Sequence, residues 1–277
     1  MNNGDVILLE NLRNNPGEKK CDKTFTENLA KMGDVYVNEA FPVSHREDAS
    51  IVLLPKLLPA YAGFQLFEEV KNLSRAFNKP KHPFLFILGG AKFSTKMPLI
   101  KKYLKLADQV FIGGALADDF LKAKGFEVGK SLVDNSKYDI KEILKNKKLI
   151  IPVDVVVESD NSSKLINKKA NDVKKDENIL DVGSQSVKNL APLISAAKLI
   201  LWNGPLGKYE SGGGVSTKKV LKLVAKSKAE SIIGGGDTVT MISEMKIEKQ
   251  FSFVSTGGGA TLDFLANGTL PGIKALG

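Results

Sequence analysis

One cysteine, one tryptophan and two histidines occur in 277 residues. A lone cysteine, Cys21, cannot form an internal disulfide, and its polar setting between Pro16 and Lys23 marks it as an inert surface thiol. His45 and His82, with a single cysteine, supply too few nitrogen and sulfur ligands for zinc, so no structural metal is expected. Arginine is scarce as well: Arg13, Arg46 and Arg75 are the only ones among 40 basic residues. Where lysine is the default cation, each arginine stands out, because its planar fork grips carboxylates and phosphates in a way lysine cannot copy. No apolar run approaches the roughly 20 residues that a membrane span needs. The N-terminus has no basic, apolar, small-residue signal pattern. A cytoplasmic protein with no membrane partner is expected. No repeat of solenoid period and no low-complexity segment is present.

An apolar content of 43% in a chain of this length provides a sizeable core. The net charge of +9 invites a nucleic-acid reading, but the lysines are spread along helices and loops instead of clustering with aromatics. They read as solvated faces, and no specific nucleic-acid partner is expected; a monomer acting on small molecules is. Short Val-, Ile-, Leu- and Phe-rich runs read as strands at Val6–Leu9, Asp34–Asn38, Phe84–Leu88, Gln109–Ile112, Leu149–Val157, Leu199–Trp202, Ser231–Ile233 and Phe251–Val254. Helical periodicity covers Lys23–Met32, Phe64–Phe77, Thr95–Leu106, Ala115–Lys124, Lys137–Leu144, Val187–Ala196, Thr217–Ala225 and Thr261–Leu265. Continuously apolar strands separated by helices predict an α/β fold, with a parallel sheet covered on both faces in a three-layer, Rossmann-like arrangement. The lysine-rich segment 161–181 reads as a solvated hairpin without chemistry. A boundary is placed near Gly63. Residues 1–63 form a short, incomplete α/β part, residues 64–260 a larger domain that begins with a connecting helix, and residues 261–277 a helix and tail packing back toward the N-terminal part.

Strand after strand ends in glycine: Leu88-Gly89-Gly90-Ala91-Lys92, Ile112-Gly113-Gly114, Trp202-Asn203-Gly204-Pro205, Ile233-Gly234-Gly235-Gly236-Asp237-Thr238 and Ser255-Thr256-Gly257-Gly258-Gly259. In open α/β sheets the carboxyl ends of the strands form the ligand crevice, so these turns are expected along one edge. The stretch Gly234–Thr238 carries the strongest signal. Glycine permits a tight turn close to a ligand, the N–H groups of the following helix point outward, and the helix dipole favours an anion. Asp237 stands where a magnesium ion bound to phosphate would be met. Lys92 and Lys96, four apart, can both face the crevice, with Ser94 placed to cap the helix. On residue type alone these lysines are equally readable as surface residues. Asn203 and Glu210 could meet phosphate and ribose, but on residue type alone the reading as ordinary loop residues is slightly favoured. Gly125–Ser131 imitates a Walker A loop but has three residues between its glycines where the motif needs four, and it follows a helix. His45-Arg46-Glu47 lacks the P-C-x-x-C partner of a zinc deaminase.

In chain order, Leu8–Arg13, Gly33–Phe41, Gly89–Lys96, Trp202–Pro205, Gly234–Thr238 and Ser255–Ala260 resemble the motifs of phosphoglycerate kinases, over nearly the whole chain. The resemblance implies a hinged two-domain phosphotransferase that moves a phosphoryl group between 1,3-bisphosphoglycerate and ADP, giving 3-phosphoglycerate and ATP with Mg2+. It implies that Arg13 and Arg46 hold the phosphoglycerate, that Lys96 meets the nucleotide phosphates, and that Lys92 with Gly235 and Gly236 steadies the transferring group. It assigns Asp237 to the magnesium, Thr238 and Asn203 to the phosphates, Glu210 to the ribose, and Gly90, Gly114 and Gly183 to the adenine slot. The sequence departs from the family in lacking roughly its first hundred residues, which hold further acid-binding groups and an arginine of the reaction. Asp48 replaces a histidine of the family, which weakens the anion site, and Ser184-Gln185 replaces a proline and a basic residue. Nucleotide binding with poor turnover is therefore expected of this polypeptide alone, together with a loosely held N-terminal part. A non-catalytic adenine-nucleotide-binding module or a basic interaction protein is the alternative.

Overall fold

The computed structural model describes residues 4–134, 138–159 and 162–277. The N-terminal part holds α1 (Pro16–Lys19), α2 (Lys23–Ala30), β1 (Tyr36–Asn38), α3 (Ala49–Val52) and β2 (Ala60–Ala62). The connecting helix α4 (Phe64–Ser74) leads into β3 (Phe84–Leu88), α5 (Phe93–Leu106), β4 (Gln109–Ile112) and α6 (Ala115–Ala123). Then come α7 (Ile140–Leu144), β5 (Leu149–Ile150), β6 (Asp154–Ser159), β7 (Ser162–Lys169), β8 (Glu177–Val182) and α8 (Ser184–Ala196). The chain closes with β9 (Leu199–Asn203), α9 (Val215–Lys226), β10 (Glu230–Gly234), α10 (Gly236–Met245), β11 (Phe253–Val254), α11 (Gly259–Asn267) and α12 (Pro271–Lys274).

A parallel six-stranded sheet in the order β11-β10-β9-β3-β4-β5 forms the middle layer. Successive side chains of a strand point to opposite faces, which explains why β3 is apolar at every position. Phe84, Phe86 and Leu88 pack with residues of α4, α5, α6 and α11, whereas Leu85 and Ile87 pack with α8, α9 and α10. The three-layer α/β arrangement is thus built from strands buried on both faces. Because the strands run parallel, the glycine turns after β3, β4, β9, β10 and β11 emerge at one edge of the sheet. Backbone bonds lock them together: Gly89 N donates to Asn203 O at 2.9 Å, Gly113 N to Leu88 O at 2.9 Å and Ser255 N to Ile233 O at 2.7 Å.

Several expected elements differ. Residues 6–9 form no strand; Val6 and Leu8 are 93% and 96% exposed. A strand exists only when its N–H and C=O groups find a partner, and apolar composition alone provides none. The N-terminal sheet consists of two strands, β1 and β2, paired in parallel, and β2 was not foreseen. The run 149–157 splits at Pro152 into β5 of the main sheet and β6 of another. The lysine-rich segment is no detached hairpin: β6, β7 and β8 form an antiparallel sheet in the order β7-β6-β8, with a small core of Leu121, Val128, Val155, Val157, Ala170 and Val173. Ser94 lies inside α5, whose N-cap is Lys92. Lys137 and Asn161, the starts of an expected helix and of the expected hairpin, lie outside the described residues.

The C-terminal segment touches the N-terminal part. The rings of Phe41 and Phe264 meet edge to face with centroids 5.8 Å apart, and Gly272 N donates to Ser44 O at 2.8 Å. On α4, Glu69 is fully buried and accepts from Thr256 N at 2.9 Å. Arg75 pairs with Glu230 at 2.8 Å, tying α4 to the start of β10, so this arginine is structural. Cys21 donates to Glu47 O, and burial raises its thiol pKa, as suits an inert group.

Candidate functional site

The N-termini of α8 and α10 differ in their chemistry. The first turn of α8 is already occupied. Asp154 Oδ1 accepts from Ser186 N at 2.7 Å and its Oδ2 from Gln185 N at 2.9 Å, while Oδ2 also takes Asn167 Nδ2 at 2.9 Å. Burial pushes the Asp154 carboxyl upward, but these donors outweigh it and hold the pKa below the ordinary range. The N-cap of α10 is Gly235, and no side chain caps it. Its first N–H groups are therefore available to an anion, with the helix dipole in favour. Gly235 has φ +97°, and a Cβ there would lie 2.9 Å from Gly204 N, so both conformation and space demand glycine.

Lys96 reaches this region from the first turns of α5. It is 7% exposed, and its ammonium donates to the Gly89 carbonyl beside Gly90 and Gly204. Burial pulls its pKa down to about 8, while the charge of Asp237 resists the change. A desolvated cation near an uncapped helix start forms a strong phosphate attractor. Asp237 is exposed in the first turn of α10, whereas Thr238 is fully buried and its hydroxyl has no partner among the described residues. Asn203, buried at the end of β9, lies against the Gly234–Gly235 turn with Nδ2 unpartnered among the described residues. Lys92 is exposed at the start of α5.

A cavity of about 480 Å³ runs from Asp237 past Gly90, Gly114 and Glu210. Its far walls are α6 and β8, so the lysine-rich excursion contributes part of the site through Asn178, Leu180 and Asp181. Of the expected residues, Gly90, Gly114, Glu210 and Asp237 line this cavity. Gly183 does not: it packs against Asp154 at the start of α8, and its neighbours Val182 and Asp181 line the wall instead. Asp181 accepts from Ser216 N at 2.8 Å, and burial, against that bond, raises its pKa to about 7. Asp118, Lys130 and Leu132 also line the cavity and were not foreseen. In the sequence, the expected helix Ala115–Lys124 carries Asp118 and Asp119, and no local signal separates them from solvated acids.

Arg13 and Arg46 lie elsewhere, in the N-terminal part. Arg13 Nε stands 3.4 Å from Asp48 Oδ2. His45 Nε2 is 3.8 Å from where a Cβ on Gly259 would be, so the loop carrying Arg46 abuts the start of α11 and the glycines after β11. Among the described residues no group of three or more His, Cys, Asp or Glu side chains could hold a metal ion. Asp237 alone suits a cation that brings most of its oxygen ligands with it, as magnesium does on a nucleotide. No described helix is long and apolar enough to cross a membrane.

Residues 1–268 match the family model for phosphoglycerate kinase. The phosphoglycerate kinase of Pseudothermotoga lettingae is 40% identical over 287 residues, covering 99% of this chain and 71% of the relative. That of a Wolbachia species from Drosophila simulans is 41% identical over 290 residues, covering 100% and 73%. The solved phosphoglycerate kinase of Coxiella burnetii superposes with a TM-score of 0.87 at 39% identity, over 99% of this chain and 72% of that one. The uncapped α10, the buried Lys96 and the aligned glycine turns agree with this likeness: the chain belongs to the phosphoglycerate kinase family and is a phosphotransferase.

Proposed function

We propose that the cavity between α6, β8 and α10 binds ADP or ATP and that the chain transfers a phosphoryl group between 1,3-bisphosphoglycerate and ADP. The observation that carries this reading is the uncapped start of α10, with its free N–H groups beside Lys96 at the end of the cavity. Phosphoryl transfer asks for placement and charge neutralisation, not covalent participation. Lys96, Asn203 and Thr238 hold the nucleotide phosphates, and Glu210 accepts from the ribose. Gly90 and Gly114 allow the base close to the backbone, with Gly183 supporting that wall from behind. Lys92 and the N–H groups of Gly235 and Gly236 steady the charge on the group in transfer. Mg2+, bound with the nucleotide and met by Asp237, would neutralise phosphate charge.

Arg13 and Arg46 hold the phosphoglycerate. Engagement of Arg13 by Asp48 weakens this grip, so the acid, not the nucleotide, is the poorly held substrate. The substrates are small molecules, and the chain works as a cytoplasmic monomer. The boundary near Gly63 separates an acid-binding part from the nucleotide domain, with α4 and the segment after residue 260 joining them. Titration with MgADP, alongside ATP formation from 1,3-bisphosphoglycerate, tests the assignment. Binding lost in both Lys96→Met and Asp237→Ala supports it; binding unchanged in both sinks it.

A further inference from the structure

Helix α6 carries one acid that the phosphotransfer chemistry above leaves without a task. Asp118 lines the nucleotide cavity yet is only 2% exposed, and its Oδ1 has no hydrogen-bond partner among the described residues. Its neighbour Asp119 is employed, accepting from Asp134 N at 2.8 Å. A buried polar atom without a partner costs stability, and on a ligand-cavity wall the missing partner is one the ligand can supply. The cavity has two unlike ends. Asp237 and the start of α10 mark the phosphate end, while Ala117, Leu132, Pro152, Val155 and Leu180 make an apolar slot suited to a flat ring. Asp118 stands on the same helix as Ala117.

We propose that Asp118 is a specificity-determining residue that reads the edge of the nucleotide base, and that its protonation state selects adenine over guanine. The inference rests on the nucleotide reading given above. A protonated carboxyl offers an O–H donor beside a C=O acceptor. Adenine presents the matching pair, an amino donor on N6 beside an acceptor at N1 or N7. An ionised carboxylate offers two acceptors. It repels the adenine ring nitrogen and matches the N1–H and N2 amino donors of guanine. Burial, reinforced by the charge of Asp119, raises the Asp118 pKa to about 8, so the adenine-matching form prevails at neutral pH. The charged groups around the same cavity are Asp119 on α6, Lys130 after it, Asp181 on β8, Lys208 and Glu210 after β9, and Asp237 on α10.

Calorimetric binding of MgADP and MgGDP to the full chain, from about pH 6 to about pH 9.5, tests this. Both ligands carry the same diphosphate, so titration of Lys96 or contacts at Asp237 cancel in the ratio of their dissociation constants. The expected result is a preference for ADP of about tenfold or more at low pH that shrinks by about tenfold through pH 8. Asp118→Asn, which keeps one donor and one acceptor at the same shape, is expected to hold the ADP preference at every pH. Asp118→Leu is expected to show a small, flat ratio, and Asp181→Asn to retain the wild-type pH dependence. A flat ratio in the wild type, or an unchanged pH dependence in Asp118→Asn, overturns the assignment to Asp118 while leaving the nucleotide site standing. Failure of the wild type to bind either nucleotide at any pH overturns both.

Discussion

Asp48 Oδ2 lies 3.4 Å from Arg13 Nε, so one of the two arginines proposed above to hold a phosphoglycerate is already engaged by an acid of its own chain. The Arg13 side chain is 41% exposed and that of Asp48 12%, and a single contact open to solvent at its arginine end contributes about 1 kcal/mol or less. Asp48→Asn is expected to leave folding nearly unchanged and to tighten 3-phosphoglycerate binding by up to about fivefold. Calorimetry with 3-phosphoglycerate checks it; an unchanged or weaker affinity would show that Arg13 does not meet the acid.

Lys96 should dominate the phosphate end. Lys96→Met is expected to weaken MgADP by about ten- to hundredfold, the usual range for a lost hydrogen bond to a charged group. Its depressed pKa of about 8 adds a pH signature. A bound phosphate favours the charged ammonium, so binding takes up a proton near and above that pH, and affinity falls as the solution becomes more alkaline. Titrations at pH 8.5 in buffers of different ionisation enthalpy, a pH chosen about half a unit above the pKa, measure the uptake directly. No uptake in the wild type, or equal uptake in Lys96→Met, would remove Lys96 from the site.

Stability should change with pH in a direction set by the buried acids. Burial raises the pKa of Asp118 to about 8, of Asp181 to about 7 and of Asp119 to about 6. An unfolded chain releases these protons near about pH 4, so above that the native state holds more protons than the unfolded one. Stability contributed by these groups is present at low pH and is lost as pH rises through the folded values. Thermal unfolding between about pH 5 and about pH 8 is expected to show a falling Tm, less steep in Asp118→Asn. A Tm that rises over that range, or an equal slope in the variant, contradicts the expectation.

Glu69 joins α4 to the loop after β11 through Thr256, with its second oxygen unpartnered among the described residues. Burial raises its pKa against the hydrogen bonds from Ser255 and Thr256. Glu69→Ala strands the Thr256 N–H and is expected to cost about 1–3 kcal/mol. Glu69→Gln, which keeps an acceptor, should cost much less. Urea unfolding of both variants decides; equal losses would mean that shape, not the hydrogen bond, carries the effect.

Much of the part built on the six-stranded sheet is legible without coordinates. Strands such as Phe84–Leu88 declare themselves because both faces are buried, and the Gly234–Thr238 turn because its backbone dictates its residue types. The Val6–Leu9 run fails as a strand because pairing is a property of two segments, and its apolar side chains say nothing about whether a partner is at hand. The segment 161–181 reads as solvated because Lys174, Lys175 and Asp176 dominate it, although its strand Glu177–Val182 forms a cavity wall.

Local chemistry thus sufficed for the parallel sheet, the glycine edge and the glycine-led start of α10, since burial pattern, backbone torsion and helix dipole act over a few residues. Whether Asp118 is a wet surface acid or a buried one on a cavity wall, whether α8 or α10 offers its N-terminus, and whether Arg13 is free or held by Asp48 depended on segments far apart in the chain. Desolvation and hydrogen bonding are set by what packs against a group, and that is decided only once β8, Asp154 and the loop at Asp48 have come to rest beside their distant neighbours.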